Sequence, residues 1–419
     1  MARPRIVIVN DASQARGGAT GLALLQARML AQRGFEVCFV AGDRDPNADL
    51  AALGVTLFNA GTDPLMKAPP HVAATRGLWS RPVQALLDKV ITETDTTDTV
   101  YHVHSWSKTL TPSAFRALAR VAPRVFIHAH DFFLACPNGG FMDYQAMKPC
   151  SRTPLSVSCL TTQCDKRNLA QKGWRVSRQL LLRKSLPRTA PWGGILVIHP
   201  KMTDLLVQSG YPRDRIHTVR NPANALTARR IPAEKNARFL FIGRVEAEKG
   251  IEDVVAAARK AGVALTVVGD GPLREPLAAA HPDVRFTGWL DRQDIHAEAE
   301  GARALLMPSR YPEPFGLVAA EASLSGLPVV TSQTAMLGSE ITAGRIGWSC
   351  DTLDIAAFAA LLKQIADLPD TEMEALSKRA FSGDAGLCLT PDAWLDAQVS
   401  LYERAISAGQ APVKAAAAR

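Results

Sequence analysis

Two glutamates that stand eight residues apart, Glu313 and Glu321, offer the clearest chemistry in this 419-residue sequence. The short apolar run 304–307 predicts a buried strand, and the prolines after it predict a loop. A helix is expected to start near Phe315 and to end near Gly326, so one carboxylate lies on the loop and the other lies inside the helix. Free N–H groups at a helix start bind anions, and carboxylates accept hydrogen bonds from hydroxyl groups. The pair therefore suits a polyhydroxylated, anionic ligand such as a nucleotide sugar.

The donors expected at this helix start are the backbone N–H groups of Phe315, Gly316 and Leu317. On spacing alone, two solvated charges around a helix start are the favoured explanation of the glutamates. A second motif upstream makes the ligand-binding interpretation stronger.

This second motif has the chemistry of a phosphate site. A predicted strand at 239–242 is followed by Gly243 and Arg244, and Lys249 precedes the next predicted helix, which starts at Ile251. Arginine presents a planar fork to phosphate oxygens, lysine presents a point charge, and the helix start adds its positive dipole end. The alternative is an ordinary β–α turn with two exposed basic residues.

Together these segments resemble the C-terminal half of a retaining glycosyltransferase of family 4, in the glycosyl transferases group 1 with the GT-B fold. The order and separation of the segments carry the resemblance, which covers most of the chain. The segments are 243–250, 267–272, 286–290, and the two glutamates followed by 326–330.

Composition excludes several classes of protein. The chain is 47% hydrophobic and 21% charged, as in ordinary globular proteins, and it contains no run of about 18 apolar residues that predicts a membrane span. The apolar run 6–9 is too short for a signal peptide and predicts a first strand, so we expect a cytoplasmic protein. The net charge of +8 permits anionic partners. We expect no nucleic acid, because no basic stretch is interleaved with aromatic residues in a known binding pattern.

The densest basic segment lies at 172–188, with tryptophans and leucines in or beside it. Because these apolar residues do not form one stripe on a helical wheel, a solvated helix face is the favoured interpretation. Peripheral contact with an anionic membrane, at the inner face of the cell membrane, is the alternative.

Four of the seven cysteines cluster in an insert at 136–165 that lacks a clear helix or strand pattern. They are Cys136, Cys150, Cys159 and Cys164. Their gaps are irregular and include no C-x-x-C pair, so the zinc signal is weak. A structural zinc would explain how so long a loop becomes ordered, and free thiols in an ordinary loop are the alternative.

Short apolar runs alternate with helical patterns along the whole chain, which predicts mostly parallel sheets with helices on both faces. The alternation pauses near 222 and then restarts. We therefore expect an α/β architecture of two Rossmann-like, doubly wound domains that face each other across a cleft. The expected domains are 1–221 on the acceptor side, 222–391 on the nucleotide-sugar side, and a helix at 392–410 that crosses back to the first domain.

Two segments of the N-terminal half are candidates for the site. Gly17 and Gly18 precede a predicted helix, where glycine lets a ligand approach the backbone, although a plain flexible turn explains them equally well. His130 lies just past a predicted strand, and Asp131 could orient its ring. The histidines at 102 and 104 are expected to be packed or capped, and the alternative is that one of them lines the acceptor side.

The resemblance implies a role for each matching residue. His130 would contact the transferred sugar, Arg244 and Lys249 the diphosphate, Glu313 the sugar hydroxyls, and Glu321 the ribose. The turns expected to flank the nucleobase are 269–272 and 288–290, which contain Gly269, Asp270, Gly271, Trp289 and Leu290, whereas Gly243 is a substrate-binding candidate in the loop of Arg244.

The predicted function is transfer of a hexose from a UDP- or GDP-hexose donor to a polysaccharide or lipid-linked oligosaccharide, with retention as the family implies. We expect no Asp-x-Asp carboxylate pair that holds a divalent metal, and we therefore predict that catalysis needs no metal cofactor. The alternatives are a sugar-nucleotide epimerase or another GT-B enzyme, and a non-catalytic nucleotide-sugar-binding subunit.

Overall fold

The computed structural model describes residues 3–14 and 17–410, except the side chains of residues 66, 409 and 410. The chain forms two compact units. Of the described residues, unit 1 contains 3–14, 17–139, 152–219 and 392–410, and unit 2 contains 140–151 and 220–391. The last helix thus packs with the N-terminal half, and the short segment 140–151 packs with the C-terminal half.

The strands are β1 (Arg5–Asn10), β2 (Val37–Ala41), β3 (Thr56–Asn59), β4 (Thr99–Val103), β5 (Val125–Ala129), β6 (Met142–Asp143), β7 (Lys148–Pro149), β8 (Gly194–Val197), β9 (Ile216–Thr218), β10 (Arg238–Ile242), β11 (Leu265–Val268), β12 (Arg285–Gly288), β13 (Ala302–Met307), β14 (Val329–Ser332) and β15 (Gly347–Cys350).

The α-helices are α1 (Gly18–Gln32), α2 (Ala48–Ala52), α3 (Pro70–Arg76), α4 (Arg81–Thr94), α5 (Ser113–Leu118), α6 (Val157–Thr161), α7 (Leu169–Ser185), α8 (Lys201–Gln208), α9 (Ile251–Ala261), α10 (Arg274–Ala280), α11 (Arg292–Glu300), α12 (Leu317–Leu324), α13 (Gly338–Ala343), α14 (Ile355–Ala366), α15 (Asp370–Ser382) and α16 (Pro391–Gln410). Short 3-10 helices lie at Leu65–Lys67, Ala119–Arg124, Arg213–Arg215, Ala233–Lys235 and Ala247–Lys249.

The sheet of unit 1 has seven parallel strands in the order β3-β2-β1-β4-β5-β8-β9. The sheet is covered on both faces, as is usual for parallel sheets. In strand β1, the consecutive residues Ile6, Val7, Ile8 and Val9 are therefore all fully buried. Strand order reverses direction beside β1, and ligands of such sheets bind near this point.

The sheet of unit 2 has six parallel strands in the order β12-β11-β10-β13-β14-β15. The buried apolar run of β13 is the one that the sequence predicted before the glutamate loop. The expected architecture of two doubly wound α/β units is confirmed.

The cysteine-containing insert is more regular than its sequence suggests. It contains the helix α6, whose N-cap Ser156 accepts a hydrogen bond from Cys159 N, and a small antiparallel hairpin of β6 and β7. These elements are too short for periodicity to reveal them.

The basic helix α7 is not simply a solvated face. Lys172 and Arg178 are buried, at 3% and 5% exposure. The Arg178 guanidinium lies 4.9 Å from the ring centre of Phe133 and 5.1 Å from that of Trp174. These aromatic contacts account for its burial, so the expectation of a solvated basic face is wrong for these two residues.

Candidate active site

The carboxyl ends of four neighbouring strands bring the predicted donor-site residues of unit 2 to one sheet edge. Trp289 follows β12, Asp270 follows β11, Arg244 follows β10, and the loop with Glu313 follows β13. Because the strands are parallel, these residues form a row along a single edge.

The glycine turns at this edge are held together by their backbones. Gly269 N donates to Gly288 O at 2.8 Å, and Val245 N donates to Asp270 O at 2.9 Å. Gly269 has a φ of +133°, and a Cβ placed there would lie 1.9 Å from Gly243 O. The glycines predicted to flank a nucleobase therefore allow neighbouring loops to touch, a role that the sequence motif alone does not distinguish from ligand contact.

We expect Gly269→Ala to lower the free energy of unfolding by at least about 2 kcal/mol, because the methyl group meets a backbone oxygen and φ is unfavourable. Gly262→Ala is the matched control, since Gly262 also has a positive φ of +66° but no atom within 4 Å of its Cβ position. The control should lose only about 1 kcal/mol. Urea unfolding measures both, and equal losses would contradict the packing argument.

Lys249 lies at the end of a 3-10 turn, directly before the left-handed Gly250 that begins α9. A Cβ on Gly250 would lie 2.1 Å from Pro308 O, so glycine lets the loop after β13 approach the start of α9. This approach brings the Lys249 ammonium to 2.6 Å from Glu313 Oε2 and 2.8 Å from the Tyr311 hydroxyl. The two predicted residues therefore meet as an ion pair.

The Glu313 carboxylate is largely buried and well partnered. Ser309 Oγ donates to its Oε2 at 2.9 Å, in addition to the Lys249 contact. Desolvation disfavours the ionised form, but Lys249 and the hydrogen bonds from Tyr311 and Ser309 outweigh it and lower the pKa of Glu313. The carboxylate is thus ionised and held in one position.

A second ion pair fixes the loop that carries Glu313. Arg310 makes a bidentate contact with Asp253 of α9, with distances of 2.5 and 2.6 Å. Arg310 N also donates to Glu248 O at 2.9 Å. The glutamate loop and the start of α9 therefore form one structural element.

Arg244 is an exposed cation at this edge, with 62% of its side chain accessible. Its guanidinium donates to Glu246 Oε1 at 2.7 Å. Burial strongly raises the pKa of the Tyr311 phenol, and the positive charge of Arg244 opposes this rise. Arg244 therefore presents an exposed cation in the loop after β10, the loop that also carries Lys249.

Glu321 lies within α12, which starts at Leu317 after a left-handed Gly316. Desolvation raises the pKa of Glu321, and Arg292 opposes this rise. Among the described residues, its carboxylate has no hydrogen-bond partner within unit 2, whereas Glu313 Oε2 already accepts hydrogen bonds from Lys249 and Ser309. Trp289 is 75% exposed, so its ring face is accessible for stacking, and Leu290 follows it.

Unit 1 places four histidines on one face of its sheet. His102 and His104 are two residues apart at the end of β4, and His128 and His130 are two residues apart at the end of β5. Side chains two residues apart share a face, and His102 pairs with Phe126, so the histidines of the two strands are adjacent. Neighbouring rings stack with centres 4.2 to 5.3 Å apart. We call these four residues the histidine cluster.

His104, rather than Asp131, orients His130. His104 Nδ1 lies 3.0 Å from His130 Nε2, whereas the Asp131 carboxylate accepts a hydrogen bond from Phe133 N at 2.9 Å. The expectation that Asp131 orients the ring is therefore not met. The expectation that His102 and His104 are packed histidines is confirmed by their exposures of 0% and 3%.

The histidine cluster is neutral at ordinary pH. Desolvation lowers the pKa of His130 to about 3, although part of this residue is exposed. Desolvation and mutual repulsion lower the pKa values of the other three well below 6.5. One nitrogen each of His102, His104 and His128 lies within 4.8 Å of the others. Because the rings are stacked, with interplanar angles of 13° to 33°, their in-plane lone pairs do not converge on one ion.

Gly17 and Gly18 precede and begin α1, and both are exposed, which is compatible with ligand approach. Nearby, the buried Asp11 carboxylate accepts hydrogen bonds from the N–H groups of Lys108, Thr109 and Leu110 at 2.8 to 2.9 Å. These bonds fix the loop after β1 to the loop after β4.

Two of the clustered cysteines surround a lysine. Lys172 Nζ lies 2.9 Å from Cys164 Sγ and 3.8 Å from Cys159 Sγ. Burial alone would lower the pKa of Lys172, but the contacts with the cysteines raise it. Cys136 Sγ lies 3.1 Å from Asn138 Oδ1. Cys150 belongs to the hairpin segment of unit 2. Across the described chain, the spacing typical of a metal group is found at the histidines and not at these cysteines.

One Asp-x-Asp sequence does occur, at Asp43-Arg44-Asp45. Asp43 is buried and accepts hydrogen bonds from Ser13 N at 2.9 Å and Asn59 Nδ2 at 3.2 Å. Its carboxylate is thus used to hold loops of unit 1.

The structure adds residues that the motifs did not identify. Tyr311 and Ser309 complete the Lys249–Glu313 site, and Gln26, Gln398 and Tyr402 contact the histidine cluster or each other. A sequence signal existed for the histidines, since the pattern His-x-His occurs at both strand ends.

None of the helices over 3–14 and 17–410 has the length and apolar character needed to span a bilayer.

Two family models match the chain. "Glycosyl transferase 4-like domain" matches residues 17–222, and "Glycosyl transferases group 1" matches residues 226–382. Glycogen synthase of Mycobacterium tuberculosis is 31% identical over 262 residues, which cover 58% of this chain. The match spans 60% of the length of that enzyme. A GDP-mannose-dependent alpha-mannosyltransferase of Corynebacterium glutamicum is 28% identical over 145 residues, or 34% of each chain.

Solved structures share the fold over nearly the whole length. Sucrose-phosphate synthase of Thermosynechococcus elongatus has a TM-score of 0.69 at 18% identity, covering 97% of this chain and 100% of that one. Anabaena HepE in complex with UDP has a TM-score of 0.66 at 14% identity, covering 96% and 100%. With both halves matched by family models and both units folded as parallel α/β sheets, the chain belongs to the group 1 glycosyltransferases of family 4 type and has the GT-B fold.

Proposed function

We propose that this protein transfers a hexose from a nucleotide-sugar donor to a polysaccharide or lipid-linked oligosaccharide. The observation that carries the proposal is the buried Lys249–Glu313 ion pair at the carboxyl edge of the unit 2 sheet, the edge at which Arg244 is also exposed. This edge is where ligands of doubly wound sheets bind.

The departing nucleoside diphosphate gains negative charge as its bond to the sugar breaks. Lys249 and Arg244 supply two cations in the loop that follows β10, and Glu313 and Tyr311 fix the ammonium before the reaction starts. Donors that are already in place cost little reorganisation when charge develops, which is the main source of catalysis in such sites.

The two glutamates have different roles in this proposal. The carboxylate of Glu313 retains lone pairs for sugar hydroxyls while it holds Lys249. Glu321 has no hydrogen-bond partner among the described residues of unit 2, so its carboxylate is available to the ribose hydroxyls. The exposed ring of Trp289, with Leu290 and the turn 269–271, would lie against the nucleobase.

The family resemblance supports the rest. His130 would contact the transferred sugar, Gly17 and Gly18 would border the donor phosphates or the acceptor, and the reaction would retain the anomeric configuration without a metal cofactor. The UDP complex of HepE and the mannosyltransferase named for GDP-mannose support a UDP- or GDP-hexose donor.

A structural zinc site and peripheral membrane contact of a cytoplasmic enzyme are two further proposals. A structural zinc at Cys136, Cys150, Cys159 and Cys164 is tested by the zinc content of the purified protein, and a value near zero would leave Lys172 as the cation among the thiols.

Peripheral membrane contact of a cytoplasmic enzyme is supported by Leu169 and Leu180 of α7, which are 64% and 54% exposed. Sedimentation with anionic vesicles tests it.

A donor screen tests the main proposal. Thermal shift with UDP-glucose, GDP-mannose and related compounds should identify a donor that raises the melting temperature. Release of free nucleoside diphosphate that depends on an acceptor would support transfer. Conversion of the donor into an epimeric sugar nucleotide would favour an epimerase. Binding of the donor without any turnover would favour a binding subunit.

We expect Glu321→Ala to weaken binding of the nucleoside diphosphate about 10- to 100-fold, since it removes a charged hydrogen-bond acceptor. Glu300→Ala, a change at the end of α11 in the same unit, is the control. Isothermal titration with UDP and GDP measures both variants. Unchanged affinity in Glu321→Ala would remove this residue from the ribose site.

A further inference from the structure

Gln26, in α1, is fully buried and joins the histidine cluster to α16. The orientation of its amide follows from a backbone group. Gln398 Nε2 donates to the carbonyl of Trp394 at 3.0 Å, so Gln398 Oε1 must face Gln26. Gln26 Nε2 lies 2.5 Å from that oxygen and 2.7 Å from the Tyr402 hydroxyl. The Gln26 oxygen therefore points the other way.

That oxygen determines where the protons of two histidines lie. Gln26 Oε1 is 2.8 Å from His104 Nε2, which must donate because an amide oxygen only accepts. A neutral imidazole has one N–H, so His104 Nδ1 carries a lone pair. His130 Nε2, 3.0 Å away, must then be its donor. The remaining nitrogen, His130 Nδ1, is buried and has no hydrogen-bond partner among the described residues.

We propose that Gln26 and His104 are positioning residues that hold His130 with its proton on Nε2, so that Nδ1 accepts a hydrogen bond from a hydroxyl of the transferred sugar. This inference rests on the proposed function, because it assigns His130 to the sugar. The burial of the cluster supports it by keeping His104 and His130 neutral.

The tautomer matters for the reaction. The sugar becomes positively charged as the diphosphate departs. A lone pair at His130 Nδ1 leaves the sugar hydroxyl oxygen electron-rich beside this charge, whereas an N–H at the same place would withdraw electron density. An unpartnered buried nitrogen is unfavourable in the free protein, and a hydroxyl donor would remove that cost on binding.

Nitrogen-15 NMR of the histidine rings tests the tautomer directly. We expect the wild-type protein to show His104 and His130 protonated on Nε2 alone. Gln26→Leu removes the acceptor and should yield mixed tautomers at both rings. His130→Asn identifies the His130 signals.

Turnover supplies the second readout, with UDP-glucose and GDP-mannose as donors. We expect kcat to fall at least 10-fold in Gln26→Leu, with the donor KM within twofold. Gln179→Leu is the matched control: this glutamine is also buried in unit 1 and bonds Leu134 O at 2.9 Å, on the separate helix α7.

The outcomes separate the two proposals. If the His130 tautomer is unchanged in Gln26→Leu, or if Gln26→Leu loses no more kcat than Gln179→Leu, the positioning role is wrong while transfer stands. If the wild-type protein neither binds nor turns over a nucleotide hexose, the proposed function is wrong, and the NMR result still decides whether Gln26 and His104 fix the tautomer.

Discussion

Lys249→Ala is expected to reduce kcat at least 100-fold with the nucleotide hexose that the chain accepts. The ammonium stabilises charge that develops on the leaving diphosphate, and removal of one such donor from a preorganised site costs 100- to 1000-fold in comparable enzymes. Because this interaction strengthens in the transition state, kcat should fall more than the donor KM rises. Steady-state kinetics with purified variants measures this.

The substitution also affects Glu313. Without Lys249, a largely buried carboxylate loses its ion-pair partner, and its pKa should rise. A fall in activity could then reflect a disturbed glutamate. Glu313→Gln separates the two causes, because it leaves the ammonium in place with the Tyr311 hydroxyl as partner. We expect Glu313→Gln to retain binding of the nucleoside diphosphate, whereas Lys249→Ala weakens it.

Lys260→Ala is the control for removal of a positive charge. Lys260 is exposed near the end of α9, the helix that Lys249 precedes. Its loss should leave kcat within twofold of the wild type. If Lys249→Ala and Lys260→Ala were equally active, the ion pair would be a structural feature and the assignment of the diphosphate site would be wrong.

The parallel sheets and the candidate site at the carboxyl edge of the unit 2 sheet could be predicted because the sequence patterns that indicate them are local. A buried strand such as β13 is a continuous apolar run, and the proline loop and helix after it carry their own residue preferences. The pairing of Lys249 with Glu313 was not predicted, although both residues were identified. It depends on the close approach of Gly250 to Pro308 O, which joins segments about 60 residues apart in the chain.

The histidine cluster shows the same limit in unit 1. The two His-x-His patterns place each pair on one face of a strand, but only the pairing of β4 with β5 makes them neighbours. Gln26 and Gln398 are 372 positions apart, and no local pattern connects α1 with α16. Long-range contacts of this kind decide proton positions, so the sequence indicated candidate residues without their hydrogen-bond partners.

A steep loss of stability in mild acid is expected from the histidine cluster. The folded-state pKa values of all four histidines lie below 6.5, so the unfolded chain binds protons first as the pH falls. Stability is therefore complete above about pH 6.5 and decreases below it. Each histidine contributes a loss of about 1.4 kcal/mol per pH unit, and four contribute about 5 kcal/mol between pH 7.5 and 5.5.

This loss is comparable with the whole stability of many domains, about 5 to 15 kcal/mol. Burial of the Asp11 carboxyl acts in the opposite direction, because a raised pKa lets the folded state bind a proton first. It offsets part of the effect. Urea unfolding followed by circular dichroism at several pH values gives the number of protons taken up on unfolding.

His128→Phe isolates one member of the cluster. Both ring nitrogens of His128 are buried and have no hydrogen-bond partner in the described structure, so a ring of similar shape without them should stabilise unit 1 at pH 7 by about 1 to 3 kcal/mol. It should also reduce the proton uptake in acid by about one. His71→Phe, at an exposed position in α3, should change neither quantity. A pH dependence that is the same in all three proteins would mean that the cluster does not control acid stability.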